Sequence, residues 1–319
     1  MLPLIVREPS TSPDTRTPAA IVGIDWGTTN RRMWALDAAA RPLREAEDAA
    51  GMLASRGRFA DALAEALVHI GPLASGARVL LSGMVGSAQG WHEVPYVDSS
   101  VPLETLREHL FVVPDAPGGI DCRIVPGLRW RGDDGTVDVM RGEETQLLGL
   151  VALGHRDGRF MHPGTHSKWG ELREGRVVRF STYMTGELFG LLSQQGTLAA
   201  LMREPVDDDA AFAEGVRAAG RAALSHALFE CRARVVAGDL PAASARDHAS
   251  GVLIGAEWQD ALMRLGRPAD PVCILGSADL VRLHLRVAQQ LGVPVVTVAA
   301  RDAQLAAWAA LANVRRNEA

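Results

Sequence analysis

Cysteine is scarce in this chain, and the few cysteines lie far apart. Cys122, Cys231 and Cys273 are an odd number at wide spacing. Such spacing supports neither a disulfide framework nor a thiolate metal site. We therefore expect a protein of the reducing cytoplasm.

Long apolar runs are also absent. No stretch approaches the roughly 20 apolar residues that a membrane-spanning helix needs, so no membrane association is expected. The apolar start over residues 1–6 is too short for the core of a signal peptide. Residues 1–19 are predicted to form a disordered leader.

Basic clusters with interleaved aromatic residues are missing as well. The formal net charge is −5, and together with that absence it argues against a nucleic-acid partner. The composition, 47% hydrophobic and 22% charged, is that of an ordinary globular chain. A length of 319 residues suggests two domains. We place them at residues 20–143 and 144–319.

Lysine is the rarest charged residue, and its position is informative. Of the 33 lysines and arginines, all but Lys168 are arginine. This lysine follows Gly164, Thr165 and Ser167 in the segment Pro163–Trp169. A glycine lets backbone N–H groups approach an anion, hydroxyls donate hydrogen bonds, and a lysine supplies a compact charge. On this segment alone, a phosphate-binding loop and an ordinary turn that happens to contain the one lysine are equally good interpretations.

A second loop near the start of the chain has a related composition. Residues 21–24 read as a buried strand, Asp25 falls at its end, and residues 32–36 continue as a second strand. Asp25 suits a Mg²⁺ ion held through water, because magnesium prefers one or two carboxylates together with phosphate oxygens. The loop is interpreted as a phosphate cradle, whose candidate residues are Gly27, Thr28, Thr29 and Asn30.

Between the two loops, the apolar spacing over residues 59–70 predicts an amphipathic helix, and residues 79–81 predict a buried strand. The glycine-rich segment that follows contains polar and aromatic side chains. Glycines in such a segment often do no more than allow the chain to turn, but the residues next to them are typical of a pocket for a small polar ligand. The candidate substrate-binding residues are Met84, Gly86, Gln89, Trp91 and Tyr96.

Glu143 and Glu144 fall at the first turn of a predicted helix, about twenty residues before the lysine loop. Helix-end electrostatics would account for two carboxylates there, because the helix dipole favours anions at this end. Their place ahead of a phosphate loop supports a catalytic interpretation instead. Both explanations stay open on the sequence.

The chain repeats a pattern of strand, Gly/Thr-containing hairpin and strand, once near residue 25 and again near 165. The repeat suggests two similar α/β halves that face each other with a nucleotide's phosphates between them. Residues 185–265 are largely helical, and strands then alternate with helices, which implies parallel pairing. Gly276 and Ser277 lie where such sheets place ligands, although a plain strand-to-helix turn would look the same.

With both hairpins placed, the chain resembles sugar kinases of the actin/hexokinase superfamily. Asp25–Thr29 resembles the first phosphate motif, Gly164–Lys168 the second and Leu275–Ala278 the adenosine motif. The resemblance implies two ribonuclease-H-like domains facing each other across a cleft for nucleotide and substrate. The final helix, near residues 305–311, departs from the pattern by having alanine where a glycine commonly marks the interdomain crossing.

Four blocks follow one another along the chain: Met84–Ser87 with Gln89–Trp91, Met140–Gln146, Pro163–Trp169 and Thr182–Phe189. In these blocks, and over nearly its whole length after residue 19, the chain resembles the 2-dehydro-3-deoxygalactonokinase family. The resemblance implies ATP-dependent phosphorylation of the terminal 6-hydroxyl of 2-dehydro-3-deoxy-D-galactonate, a step of galactonate breakdown.

The resemblance also implies roles for individual residues. A carboxylate accepts the proton of the substrate hydroxyl, and Glu144 is the first choice for it, with Glu143 second. Asp25 would hold Mg²⁺, and Arg141 would bind the carboxylate of the sugar acid, since a guanidinium grips carboxylates bidentately. The expected ligands of the β- and γ-phosphates are Thr28, Thr29, Thr165, Ser167 and Lys168.

Three alternatives remain at this stage. A polyphosphate phosphatase of the same superfamily would also carry glutamates before its second loop, but it would need a basic groove that this acidic chain does not show. A sugar-sensing regulator would need a DNA-binding module, and an actin-like ATPase would have no small-molecule pocket. The expected partner is a small sugar acid, with a homodimer as the protein assembly considered.

Overall fold

The computed structural model describes residues 16–203 and 206–313. Most of the predicted leader, up to residue 15, lies outside the described residues, and the first strand begins at Ala19. The strands are β1 (Ala19–Trp26), β2 (Arg31–Leu36), β3 (Pro42–Asp48), β4 (Leu73–Gly83), β5 (Val97–Asp98), β6 (Phe111–Val112), β7 (Asp121–Ile124), β8 (Leu128–Arg131), β9 (Val137–Met140), β10 (Gly158–His162), β11 (Ser167–Arg173), β12 (Arg176–Tyr183), β13 (Val272–Gly276) and β14 (Val295–Ala299). The α-helices are α1 (Met52–Ser55), α2 (Phe59–Ile70), α3 (Glu143–Ala152), α4 (Thr185–Gln194), α5 (Gly196–Ala199), α6 (Asp209–Arg221), α7 (Leu224–Ala237), α8 (Ala245–Leu265), α9 (Ala278–Leu291) and α10 (Ala300–Leu311).

The chain divides into two compact units, and it passes between them more than once. Among the described residues, the first unit contains 16–157, 172–179 and 300–313. The second contains residues 158–171, 180–203 and 206–299. The boundary predicted between residues 143 and 144 coincides with the start of α3, which is part of the first unit.

The sheet of the first unit has the strand order β3-β2-β1-β4-β7-β6. Strands β1 and β2 form an antiparallel hairpin, and β1 also pairs in parallel with β4. Asp25, near the end of β1, is opposite Arg32 in β2 and Ser82 in β4. A separate small sheet has the order β5-β8-β9.

A second sheet has the order β12-β11-β10-β13-β14, with β10, β13 and β14 running parallel. Both sheets thus begin with a three-strand meander whose first strand pairs with a later parallel strand. The duplication that the two hairpins suggested is present in the strand order. The predicted α/β class, with two similar mixed sheets, is confirmed.

The amphipathic pattern over residues 59–70 forms α2, as predicted. Its apolar face packs into the core of the first unit with buried residues that include Trp26, Leu81 and Ile124. The other predicted elements near the loops, β4, α3, β10 and α9, are also present. No helix in residues 16–203 and 206–313 combines the length and apolar character needed to cross a bilayer.

Helices α3 and α10 pack closely against each other in the first unit. A Cβ atom at Gly149 of α3 would lie only 1.7 Å from the carbonyl oxygen of Ala303 in α10. The glycine that allows this approach is therefore on α3.

Helix α8 is the longest helix of the second unit, and it forms the support for the second sheet. It packs tightly on α6 because Gly215 and Gly251 leave no side chain between the two backbones. Its Trp258 is fully buried and contacts Trp169 of β11 edge-on, with ring centroids 4.7 Å apart. The residue before it, Glu257, thereby lies next to β11.

Candidate active site

The first phosphate-type loop, Gly27–Asn30, is hydrogen-bonded to the backbone at the start of α1. The backbone N–H groups of Gly51, Met52 and Leu53 donate hydrogen bonds of 2.9–3.1 Å to carbonyl oxygens of this loop. A Cβ at Gly51 would lie 2.3 Å from the backbone of Thr29, so only glycine fits there. The loop carbonyls are thus occupied, and residues 28–30 remain exposed to solvent.

Asp25 lies at the base of this loop in an acidic environment. Its side chain is partly exposed, and desolvation raises its pKa to about 6 against the opposing charge of Arg32. The carboxylates of Glu143 and Glu47 raise that pKa further. A carboxyl group with two anionic neighbours gains from a bound cation.

Two glycine backbones meet beside Asp25. Gly83 ends β4 with a φ of +89°, and a Cβ there would lie 3.2 Å from the Asp25 Oδ1 and 2.8 Å from the carbonyl oxygen of Trp26. Gly142 precedes α3 with a φ of +111°, and its Cβ would lie 3.3 Å from the Cα of Gly83. The absence of side chains at both positions brings the start of α3, and with it Glu143, close to Asp25.

Glu144 is fully buried. Its Oε2 accepts a hydrogen bond of 2.7 Å from the backbone N–H of Gly142, and its Oε1 accepts one of 3.0 Å from the hydroxyl of Thr145. Desolvation and the nearby charge of Glu143 raise the pKa of Glu144 to about 8. The side chain therefore stays largely protonated near neutral pH. Its hydrogen bonds join Gly142 and Thr145 at the start of α3.

Glu143, in contrast, is partly exposed. Its Oε2 accepts a hydrogen bond of 3.1 Å from the backbone N–H of Arg141, which leaves the carboxylate oriented by the turn that begins α3. Of the two predicted glutamates, Glu143 is the one with access to solvent and the one that acts electrostatically on Asp25.

Arg141 has an unusual set of partners. Its Nη2 donates to the carbonyl oxygen of Val94 at 2.7 Å, and its guanidinium carbon lies 4.3 Å from the ring centroid of Tyr96. Its Nε and Nη1 are buried and have no hydrogen-bond partner among the described residues. Leaving N–H donors of a charged group unpaired is costly, so this side chain is suited to an anionic ligand. Gly86 makes room for it, since a Cβ there would lie 2.9 Å from Nη1.

The other residues predicted to contact substrate are distributed differently. Tyr96 stays with Arg141 and is 37% exposed. Trp91 instead stacks on Phe59 and donates its indole N–H to Asp115 at 2.9 Å. Gln89 accepts a hydrogen bond from Arg56 and is exposed. Met84 is partly buried against the core of the first unit.

The second phosphate-type loop connects β10 to β11, as predicted. Gly164 is partly buried and Thr165 is exposed, whereas Ser167 and Lys168 are almost entirely buried. The Lys168 ammonium donates to the carbonyl oxygen of His166 at 3.1 Å, within the same loop. The lysine thus places its charge beneath the loop and not at its surface.

Helix α4 supports this loop from the side. The backbone N–H of Glu187 donates to the carbonyl oxygen of Thr165 at 3.0 Å, and a Cβ at Gly186 would lie 2.5 Å from the carbonyl oxygen of Gly164. The Glu187 carboxylate also pairs with the exposed His166 at 2.5 Å. These contacts account for part of the block Thr182–Phe189, to which the sequence assigned no role.

The adenosine-type motif lies at the end of β13. Gly276 packs against Pro163 of the second loop, where a Cβ would lie 2.7 Å from the proline Cγ. Ser277 precedes α9 and is exposed. Next to them is an open cavity of about 300 Å³ with a mostly apolar lining, including Ala278, Val281, Leu285 and Val298. Arg282 and Thr297 add polar groups to this lining.

Sequence reasoning did not single out Gly83, Gly142, His166, Glu187 or Glu257 as parts of these sites. The two glycines matter because of contacts between segments far apart in sequence. His166 lies inside the lysine motif, but the residue types that signal phosphate binding there are its neighbours. Glu257 lies in a long helix and carried no local signal.

Two mixed sheets that share the order of their first five strands, each beginning with a hairpin whose loop contains glycine and threonine, define a two-sheet α/β protein. A family model for 2-keto-3-deoxy-galactonokinase matches residues 25–313. The chain therefore belongs to the 2-keto-3-deoxy-galactonokinase family, and the family identified from the sequence blocks is confirmed.

Individual relatives agree with this assignment. A Rhizobium meliloti protein described as a probable 2-dehydro-3-deoxygalactonokinase is 36% identical over 305 residues, which cover 93% of this chain and 98% of that protein. The 2-dehydro-3-deoxygalactonokinase of Escherichia coli is 33% identical over 301 residues, covering 94% and 99%. The crystal structure of a Sinorhizobium meliloti protein described as a candidate 2-dehydro-3-deoxygalactonokinase matches with a TM-score of 0.85 and 35% identity, covering 92% of this chain and 98% of that one.

Proposed function

We propose that this protein transfers the γ-phosphoryl group of ATP to the terminal 6-hydroxyl of 2-dehydro-3-deoxy-D-galactonate. The observation that carries the proposal is the arrangement at the start of α3, where a solvent-accessible Glu143 acts on Asp25 and follows Arg141 by two residues. The segment from Arg141 to Glu143 thereby supplies a proton acceptor and a cation for the carboxylate of the sugar acid. Through Glu143 it also acts electrostatically on Asp25 at the base of the first loop. Family membership supports the same reaction.

Glu143 is the proposed general base. In the reaction the substrate hydroxyl gives its proton to a carboxylate, its oxygen forms a bond to the γ-phosphorus, and the bond to the β-phosphate oxygen breaks to release ADP. The family resemblance favours Glu144, but its full burial and a pKa of about 8, which keeps it largely protonated near neutral pH, argue against that role. Its role in the proposal is to hold Gly142 and Thr145 at the beginning of α3.

Arg141 is the proposed ligand of the substrate carboxylate. Its Nε and Nη1 could donate the paired hydrogen bonds that a carboxylate accepts best. Both atoms are covered by neighbouring groups, so binding requires a small shift of the side chain. The Nη2 hydrogen bond to Val94 and the stacking on Tyr96 hold the other face of the guanidinium while this happens.

Asp25 is the proposed magnesium residue. Among the described residues no cluster of three or more His, Cys, Asp or Glu side chains forms a metal site. A single carboxylate with a raised pKa nevertheless fits magnesium, which keeps most of its waters and takes its other ligands from phosphate. When bound, the ion neutralises charge on the phosphate oxygens. Asp25 would hold it, and Thr28, Thr29 and Asn30 would supply donors to phosphate.

In the second unit, Thr165 and the backbone of Gly164 are the proposed phosphate contacts. Lys168 and Ser167 lie beneath them and would act through the loop, the first by its charge and the second by its hydrogen bonding. The cavity beside Gly276 and Ser277 is the proposed adenosine site. We further propose a cytoplasmic location, in keeping with three buried free thiols, and a homodimer as the assembly to examine.

The test is a coupled assay of ADP release with Mg-ATP over a panel of 2-keto-3-deoxy sugar acids and plain hexoses. Turnover should require a sugar acid, and Glu143→Gln should abolish most of it. Glu65→Gln changes a surface glutamate of the same unit that is 60% exposed, and it should behave like the wild type. Release of ADP that ignores every acceptor would refute the proposal in favour of an ATPase.

A further inference from the structure

The buried carboxyl group of Glu257, on α8, is hydrogen-bonded to the strand and the helix that flank the second phosphate loop. Glu257 is only 3% exposed. It accepts hydrogen bonds from the indole N–H of Trp169 at 2.8 Å and from the hydroxyls of Ser167 and Thr185. Three donors from two other elements therefore converge on one side chain.

These donors lie on both sides of the loop Pro163–His166. Ser167 and Trp169 belong to β11, which leaves the loop, and Thr185 is the first residue of α4. The next two residues of α4 contact the loop backbone at Gly164 and Thr165, as described above. Glu257 thus ties together the strand after the loop and the helix that supports it.

Packing alone does not explain a carboxyl group at this position. A buried ionisable group is expensive to desolvate, and an apolar side chain of similar size would fill the space at lower cost. Burial raises the pKa of Glu257 to about 7. What an apolar residue could not provide is an acceptor for three donors at once.

We propose that Glu257 is a positioning residue for ATP, which fixes the second phosphate loop through β11 and α4 in the form that receives phosphate. The proposal rests on the proposed function of that loop. It predicts a specific effect on nucleotide affinity, because the chemistry and the acid-binding residues belong to another part of the chain. Loss of Glu257 frees the loop to adopt other conformations, and ATP must then select the competent one.

The experiment compares Glu257→Leu, Glu257→Gln and Thr185→Val with the wild type in the ADP-release assay. We expect Glu257→Leu to raise the KM for ATP by about 10-fold or more, with kcat and the KM for the sugar acid within about 3-fold. Glutamine can accept from Trp169 and donate to a hydroxyl, so Glu257→Gln should restore the KM for ATP to within about 3-fold of wild type. Thr185→Val removes one donor without changing shape, and it should raise the KM for ATP about 3-fold or more.

A matched control is Tyr183→Phe, which removes a 2.7 Å hydrogen bond between β12 and Asp260 on the next turn of α8. It should lower stability without changing the KM for ATP. A merely structural role for Glu257 predicts the same behaviour for Glu257→Leu: less active enzyme, hence a lower apparent kcat, with an unchanged KM for ATP. That result would overturn the proposal. If Glu257→Leu does not fold, Thr185→Val is the test variant. A KM for ATP equal to that of the wild type in Thr185→Val would then refute the positioning role of Glu257.

Thr165→Ala separates this proposal from the one on which it rests. If Thr165→Ala raises the KM for ATP while the Glu257 and Thr185 variants do not, the loop binds phosphate but Glu257 does not position it. If Thr165→Ala leaves the binding of ATP unchanged, the assignment of the loop itself is overturned, and the role of Glu257 falls with it.

Discussion

The backbone N–H of Gly142 donates a 2.7 Å hydrogen bond to the carboxyl group of Glu144, two residues further along the chain. The other oxygen of Glu144 accepts a hydrogen bond from Thr145. With both oxygens in use and the side chain fully buried, Glu144 holds the start of α3 in place. Of the two glutamates, Glu143 is the one that is partly exposed to solvent.

This difference predicts opposite results for two neighbouring substitutions. Glu143→Gln should lower kcat by about 10²–10⁴-fold, the usual contribution of a general base. Glu144→Gln should keep kcat within about 10-fold, because an amide can accept from Gly142 and donate to Thr145. Steady-state kinetics of the two variants, with circular dichroism to confirm folding, provide the comparison. A larger loss of kcat in Glu144→Gln would return the base to Glu144.

Glu144 also predicts a pH dependence of stability. Its folded-state pKa of about 8 lies above the ordinary value of 4.5, so the folded chain binds the proton more tightly than the unfolded chain. Stability from this group is therefore fully present below pH 4.5 and is lost as the pH rises towards 8, by up to about 1.4 kcal/mol per pH unit.

The measurement is chemical denaturation of the wild type and Glu144→Gln at pH 5 and pH 8. The variant has no carboxyl group to ionise at this position. Its unfolding free energy relative to that of the wild type should therefore be higher at pH 8 than at pH 5. A difference that stays constant across this range would show that Glu144 ionises normally in the folded protein.

Arg141→Lys should weaken substrate binding although it keeps the charge. A lysine cannot supply the paired donors of Nε and Nη1, and hydrogen bonds to charged groups contribute about 1.5–3 kcal/mol each. We expect the KM for the sugar acid to rise by about 10-fold or more while the KM for ATP stays unchanged. The control substrate is the amide of the sugar acid, which lacks the carboxylate. Its KM should rise much less in Arg141→Lys than the KM of the acid. An equal rise in KM for acid and amide would show that Arg141 does not bind the carboxylate.

Gly149→Ala should strongly destabilise the protein, because the new methyl group would lie 1.7 Å from the Ala303 carbonyl oxygen. Separating α3 from α10 exposes buried apolar surface, and we expect a loss of about 3 kcal/mol or more. Gly190→Ala is the matched control, since this helical glycine has no atom within 4 Å of its would-be Cβ. It should be neutral or stabilising by up to about 1 kcal/mol. Similar melting temperatures for the two variants would contradict the close packing.

Much of the fold was predictable because its signals are local. The spacing of apolar residues placed α2, and the composition of residues 25–30 and 163–168 placed both hairpin loops between strands. These features depend on backbone geometry and on residues a few positions apart. The family blocks were readable for the same reason, since each is a short continuous segment.

The side-chain environments were not predictable in the same way. The sequence assigns Lys168 to phosphate, which remains a prediction, and it gives no sign that the side chain is buried with its ammonium donating to the carbonyl oxygen of His166. Likewise, the sequence gives no sign that Trp91, predicted to line a pocket, stacks between Phe59 and His92. Both outcomes depend on segments brought together by the sheet, which no local pattern encodes.

The sequence by itself determined the α/β class, the two phosphate-type loops, the family and the pair of glutamates ahead of the lysine loop. Only the tertiary structure decided which glutamate is exposed, gave Arg141 its unpaired donors and brought Glu257 to the second loop. The physical reason is that residue type determines which chemistry a side chain can perform. Burial and hydrogen-bond partners, which decide whether it performs that chemistry, come from contacts between distant parts of the chain.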